Sequence, residues 1–296
     1  MKIKMLLVTG ALFASLAFSA SYTDADGNIW QYQIKNGVAA LDQFNGFKSS
    51  GKTTDIVIPS TLGGAPVKNI PAGDGLFKKN KTITSVVLPD GLTSISGDAF
   101  NSCSALTNVT PFLPATVTSI GNYAFYGCPF KETLVFSGST IGSYSFQSTK
   151  LTDLDLSAST ITYIPKCTFK SIALARAIFP ATLTGLNDSC IGTLNNKTQL
   201  YFLGAKAPTI SDNFTINKVS PLRIYVLKSA IDGWKESLGT SWKDMTEGNL
   251  STFYKTHPDT SVEPVATWSI RGGATGFIIP WSPEPEKPAG SLVLIF

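Results

Sequence analysis

Four cysteines, a single histidine and a DADGN turn are the residues with which this 296-residue sequence could do chemistry. Cys103, Cys128, Cys167 and Cys190 lie far apart, none in a CxxC pair. His257 sits in a polar KTHPD segment with no Ser or Cys partner in a recognisable motif. A zinc site needs thiolates and imidazoles grouped at ligand spacing, and this set is not grouped. Asp24, Asp26 and Asn28 have the spacing of the first calcium-loop ligands. The sixth position of that loop, however, is Ile29 where Gly is needed, and the twelfth is Lys35 where Glu is needed. A turn opening a hairpin is the plainer reading. No GxSxG, HExxH, P-loop or dinucleotide fingerprint occurs. The expectation is a chain without catalytic residues, metal or cofactor.

The whole composition fits a globular chain, 43% apolar and 15% charged. The net charge of +4 includes Lys2 and Lys4; without these two, 22 of the 24 bases face 20 acids, a balance with no bias toward nucleic acid or anionic membranes. Those lysines open MKIKMLLVTGALFASLAFSA, which reads as a secretory signal: a basic start, an apolar run from Met5 to about Phe18, then small residues. Ala17 and Ser19 at the −3 and −1 positions favour cleavage after Ser19. The run is shorter than the roughly 20 residues that span a bilayer. An exported chain could form disulfides, whereas buried Cys can also serve as a small apolar filler. Four free thiols are expected, with Cys103–Cys128 as the pair best placed to bridge.

Two ladders organise the chain. Phe77, Phe100, Phe125, Phe146, Phe169, Ile191 and Phe214 recur at steps of 23, 25, 21, 23, 22 and 23 residues. About a dozen residues before each lie short β-like runs: IVIP (56–59), VVLP (86–89), PFLP (111–114), LVF (134–136), LDL (154–156), AIFP (177–180), LYF (200–202) and IYV (224–226). A period of this length marks a solenoid, in which each coil buries its apolar face only against its neighbours. Within one coil the inward candidates are Val86, Leu88, Leu92, Ile95, Phe100 and Leu106, with Cys103 in a small slot after the Phe. Gly97, Gly121, Gly142 and Gly185 fall where a turn is expected, and positive φ would cost Gly nothing there.

The phrases LPDGLTSISGDAFNSCSAL and LPATVTSIGNYAFYGCPF resemble the BspA-like class of bacterial leucine-rich repeats. The likeness covers about residues 56–226. It implies a right-handed leucine-rich repeat solenoid of the β-rich α/β class, with one curved parallel sheet on the concave face and short helical turns opposite. It also implies an exported or surface-attached protein associated with adhesion. Flanking elements fit such a solenoid. After the signal peptide (1–19), an N-terminal β-cap (20–55) is read from the alternation around Asn36-Gly37. The solenoid (56–226) is followed by a capping helix (227–248), with Ile231, Trp234 and Leu238 at helical spacing. A β-rich tail (249–296) lacks the period; Arg271-Gly272-Gly273 could turn a hairpin in it, and PEPEKP (283–288) and SLVLIF (291–296) follow.

The outward strand positions are Val87, Thr110, Val135, Asp155, Ile178, Tyr201 and Tyr225, flanked by Arg176 and Arg223. Arg and Tyr are residues favoured at binding hot spots, so Arg176, Tyr201, Arg223 and Tyr225 form the expected partner-binding strip. The expected function is a secreted or surface module, a monomer without enzymatic activity, that grips a protein or glycan on its concave face. The alternative is a structural envelope component retained through its tail, with no specific ligand.

Overall fold

The computed structural model describes residues 20–42, 47–51, 53–72, 76–212, 214, 222–258, 262–270 and 274–283. The signal expected in residues 1–19, the turn at 271–273 and the SLVLIF stretch lie outside the described residues. The repeats form a parallel β-solenoid. Each coil contributes a strand to a principal sheet, a two-residue strand to a second sheet, and a turn segment between them.

In the principal sheet, Asp55–Val57, Ser85–Val87 and Asn108–Thr110 pair in parallel. A second run pairs Leu134–Val135, Asp153–Asp155, Arg176–Phe179, Gln199–Phe202 and Leu222–Leu227 in the same way. Alternation decides the faces: Ile56, Val86, Val109, Leu134, Leu154, Ala177, Leu200 and Ile224 are buried, while their neighbours point outward. The second sheet stacks Ile70, Ile95, Ile120 and Ile141, then Ile164, Leu186 and Ile210, in two parallel sets. The run PFLP is not a strand. The two extra residues in its coil move the strand back to Asn108–Thr110, where Val109 pairs with Val86, and the principal sheet is interrupted between this strand and Leu134–Val135.

All seven ladder residues are buried, Phe214 among them. Phe77, Phe100, Phe125, Phe146 and Phe169 stack face to face with centroids 5.0, 5.3, 5.4 and 5.7 Å apart. Three residues after Phe100, Phe125, Phe146 and Phe169 comes a slot that holds Cys103, Cys128, Thr149 and Ile172 in successive coils, all buried. The Cys103 thiol donates to the carbonyl of Phe77 and that of Cys128 to the carbonyl of Phe100, at 2.9 and 3.0 Å. A thiol here both fills volume and satisfies a buried acceptor.

The segment opposite the principal sheet was expected to be helical and is a ladder of turns. Alternate amides point at the neighbouring coil: Asp98, Phe100 and Ser102 donate to the carbonyls of Asn122, Ala124 and Tyr126. Left-handed residues at Asp98, Tyr123, Tyr144, Cys167 and Ser189 aim these amides outward from their own turn. The role expected of glycine therefore changes. Gly97, Gly121, Gly142 and Gly185 do not have positive φ; three of them sit where coils nearly touch. A Cβ on Gly121 would lie 2.2 Å from the Gly97 nitrogen, and one on Gly142 would lie 2.4 Å from the Asn122 nitrogen.

The two ends differ. Ala20–Thr23, Ile29–Lys35, Val38–Leu41 and Phe47–Lys48 form an antiparallel sheet, with Asn36 and Gly37 both at positive φ in the tight turn. Trp30 and Phe47 extend the aromatic stack, Phe47 lying 5.2 Å from Phe77. At the other end, helix α1 (Ile231–Leu238) buries Trp234 edge-on against Phe202 and Trp268, with its indole N–H donating to the Gly204 carbonyl at 3.0 Å. The period stops after Leu227, but the sheet does not. Ala274–Trp281 pairs in parallel with Leu222–Leu227, and Ala266–Ile270 and Trp242–Asp244 follow as antiparallel strands. Helix α2 (Glu247–Thr256) begins at Thr246, whose side chain accepts from the Asn249 amide, and packs Phe253 on Phe277 and Ile279.

Candidate functional site

The outer face of the principal sheet carries two rows of side chains. In the first, strand register aligns Asp153, Arg176, Gln199 and Arg223, followed by Phe277. In the second it aligns Asp155, Ile178, Tyr201 and Tyr225, followed by Ile279. Parallel pairing without slippage is what stacks one residue per coil, about 4.8 Å from the next. The four residues expected to form a binding strip thus do come together, on three adjacent coils.

Their exposure is not what the repeat pattern predicts. Tyr201 and Arg223 are only 8% and 6% exposed, while Arg176 and Tyr225 are half-buried. The cause is the C-terminal segment. Tyr201 stacks on Tyr225 at 4.4 Å, and Trp281 closes over it edge-on at 5.2 Å. Tyr225 in turn packs against the cluster of Phe253, Phe277 and Ile279. Burial pushes the Tyr201 hydroxyl up to about 12, and the neighbouring Tyr225 adds to this; Arg176 and Arg223 pull it partly back. The tyrosines are consequently packing residues of this sheet more than contact residues.

Beside them lies a cleft of about 730 Å³ lined by Asp153, Ala175, Arg176, Asn196, Lys197, Gln199, Arg223, Thr256 and Pro258. Its floor is the first row. Its end wall is the end of α2, held down by His257, which is fully buried, stacked on Phe253 at 5.2 Å and set edge-on to Phe277 at 5.9 Å. His257 is therefore not in a polar loop; the Thr256 hydroxyl lies 2.9 Å from its Nδ1. Among the described residues three bases and one acid line the cleft, and the acid, Asp153, lies 3.4 Å from the Arg176 Nε. Of the lining residues, sequence reasoning found Arg176 and Arg223. Gln199 shares their register and was discoverable from the same ladder; Thr256 and Pro258 come from a segment with no repeat to align.

The other chemical candidates resolve structurally. The Asp24 carboxylate accepts from the Asp26 and Asn28 amides, the Asn28 side chain and the Trp30 indole N–H, all at 2.9 to 3.1 Å. Its lone pairs are committed to the turn, although burial opposes ionisation, and the net effect of these bonds lowers its pKa. All four cysteines are free and buried. Among the described residues no group of three or more His, Cys, Asp or Glu could hold a metal ion, and no helix is long and apolar enough to cross a membrane.

No curated protein matches the chain. Among solved structures, a leucine rich cell surface protein from Faecalibacterium prausnitzii aligns over 71% of each chain at 19% identity, with a TM-score of 0.41. A leucine-rich repeat protein from Bacteroides ovatus aligns over 73% of this chain and 71% of its own at 17% identity, with a TM-score of 0.37. The pneumococcal vaccine antigen PcpA aligns over 74% of this chain and 96% of its own at 14% identity, with a TM-score of 0.25. The decisive likeness is in the repeats themselves: residues 71–198 match the BspA type leucine rich repeat region in six copies.

Proposed function

We propose that this chain is a non-enzymatic surface repeat protein that is exported and binds a partner outside the cell in the cleft between the principal sheet and α2. The observation that carries this reading is the row Asp153–Arg176–Gln199–Arg223, which meets the end of α2 to make a shallow, open cleft on the sheet face. Solenoids offer rigid, continuous surfaces suited to recognition, and a cleft of this size lies in the range that takes a specific ligand. The leucine-rich repeat family, and the naming of one similar structure as a cell surface protein, support a location at the surface.

The test is to screen the purified chain against cell-surface and matrix proteins and glycans, then repeat any hit with Lys197→Glu and Arg176→Gln. These side chains reach the cleft without being fully buried, so the variants should keep their melting temperature and lose the partner. Binding that survives both changes, or retention in the envelope with no ligand at all, would overturn the reading.

A further inference from the structure

We infer that SLVLIF, residues 291–296 of this same chain, docks in an apolar groove at the far end of the principal sheet, led back across the outer face by the residues that follow Trp281. The groove is shallow, holds about 470 Å³ and is more apolar than polar; Tyr22, Val57, Val87, Pro59, Pro89 and Pro111 line it. Tyr22 and Val57 are 45% and 59% exposed, and large apolar side chains grouped at a surface mark a place that another apolar group covers. Strand register puts Val57, Val87 and Thr110 in one outward row. In the later coils the equivalent row holds Val135, which is 57% exposed, then Asp155, Ile178 and Tyr201. Val57, Val87, Val135 and Ile178 thus mark an apolar track from the groove toward Trp281.

Reach and chemistry select the occupant. Trp281 already leans back over Tyr201 at 5.2 Å, and Ser282 and Pro283 after it are exposed; residues 284–296 lie outside the described residues. From Tyr201 back to Val87 is five strand steps and to Val57 six, about 24–29 Å at roughly 4.8 Å per step. The break between Thr110 and Val135 counts as one step, because Phe125 and Phe146 of those two coils stay 5.4 Å apart. The ten residues from Trp281 to Ser291 span about 33 Å when extended, and Pro283, Pro285 and Pro288 favour extended chain. The reach therefore ends at the groove. SLVLIF has no charge and no Pro, the composition of a segment that self-associates unless something covers it. Leu292, Leu294 and Phe296 recur with the period of one strand face, which gives the groove an apolar side to receive. Tethering raises the effective concentration of this segment at its own groove to about the millimolar range, which favours the same chain over a second copy.

Photo-cross-linking in the full chain tests the inference. Tyr22→p-benzoylphenylalanine sets a probe in the groove at an exposed position, and peptide mapping of the monomer should find it joined to residues 291–296. Leu294→Asp and, separately, Val57→Lys at its exposed position should each cut that product about tenfold or more, the scale of one buried aliphatic side chain, with the circular dichroism spectrum unchanged. Mixing isotopically heavy and light chains identifies the donor of the segment. A product that joins heavy to light chain would assign the groove to a second copy and overturn the inference. Absence of the 291–296 product, or a yield indifferent to both Leu294→Asp and Val57→Lys, would overturn it as well.

Discussion

Replacing Phe125 with Ala should destabilise the protein by close to 5 kcal/mol, near the top of the roughly 3–5 kcal/mol range for a buried Phe. The reason for the upper end is the number of partners. Phe125 is fully buried, stacked between Phe100 and Phe146 at 5.3 and 5.4 Å, with Phe130 edge-on at 5.6 Å and Phe112 tilted at 6.4 Å. Each aromatic pair contributes about 0.5–1.5 kcal/mol beyond its buried area, and coils above and below cannot close the gap because the hydrogen-bonded turn ladder fixes their spacing. Urea unfolding followed by tryptophan fluorescence and by circular dichroism measures the loss; Phe125→Leu, which keeps most of the volume, should cost less than half as much. A double-mutant cycle with Phe100→Ala should show coupling of about 1 kcal/mol. A Phe125→Ala cost below about 1 kcal/mol, or no coupling to Phe100, would mean the ladder is not the core of the solenoid.

Gly121→Ala should destabilise by more than 2 kcal/mol by the cost of overpacking against backbone, since the new Cβ meets the Gly97 nitrogen at 2.2 Å; a neutral result would show that the coils do not approach there. In the native state all four thiols should resist an exchange reagent, because all four are buried and burial raises the Cys128 and Cys190 pKa values as well; all four should react once denatured, and fewer would reveal a bridge. Tyr201 holds its proton longer when folded, so its contribution to stability is complete below pH 10 and lost as pH rises from 10 toward about 12. Alkaline titration should show that loss reduced in Tyr201→Phe, and an unchanged profile would contradict the burial of this hydroxyl.

Much of this architecture can be read from residue spacing, because a solenoid repeats its core. Phe100 and Phe125 occupy equivalent places for the same physical reason, and Val86, Leu88 and Ile95 follow from alternation within one coil. The misreadings have local causes. PFLP has the look of VVLP, and only the pairing of Val109 with Val86 reveals that the insertion displaced the strand. Glycines in turns suggest positive φ, yet inter-coil distance is what demands Gly121, and no single repeat contains that distance. The exposure of Tyr201 and Arg223 follows from the repeat alone. For Tyr201 it is cancelled by Trp281, and Arg223 lies beside Phe277 in the added strand; both come from a segment without periodicity and reach the sheet only through tertiary packing. The Arg pair could be found in the sequence, while the wall that makes it a cleft could not.

Hydrogen–deuterium exchange of the chain, free and saturated with its captured partner, tests the proposed function most directly. The account predicts that new protection is confined to residues 152–156, 174–178, 195–200, 222–225 and 254–258, the strands and helix end that line the cleft. Protection centred instead on the turn ladder around Tyr123 and Tyr144, or on the N-terminal sheet, with the cleft segments unchanged, would contradict it.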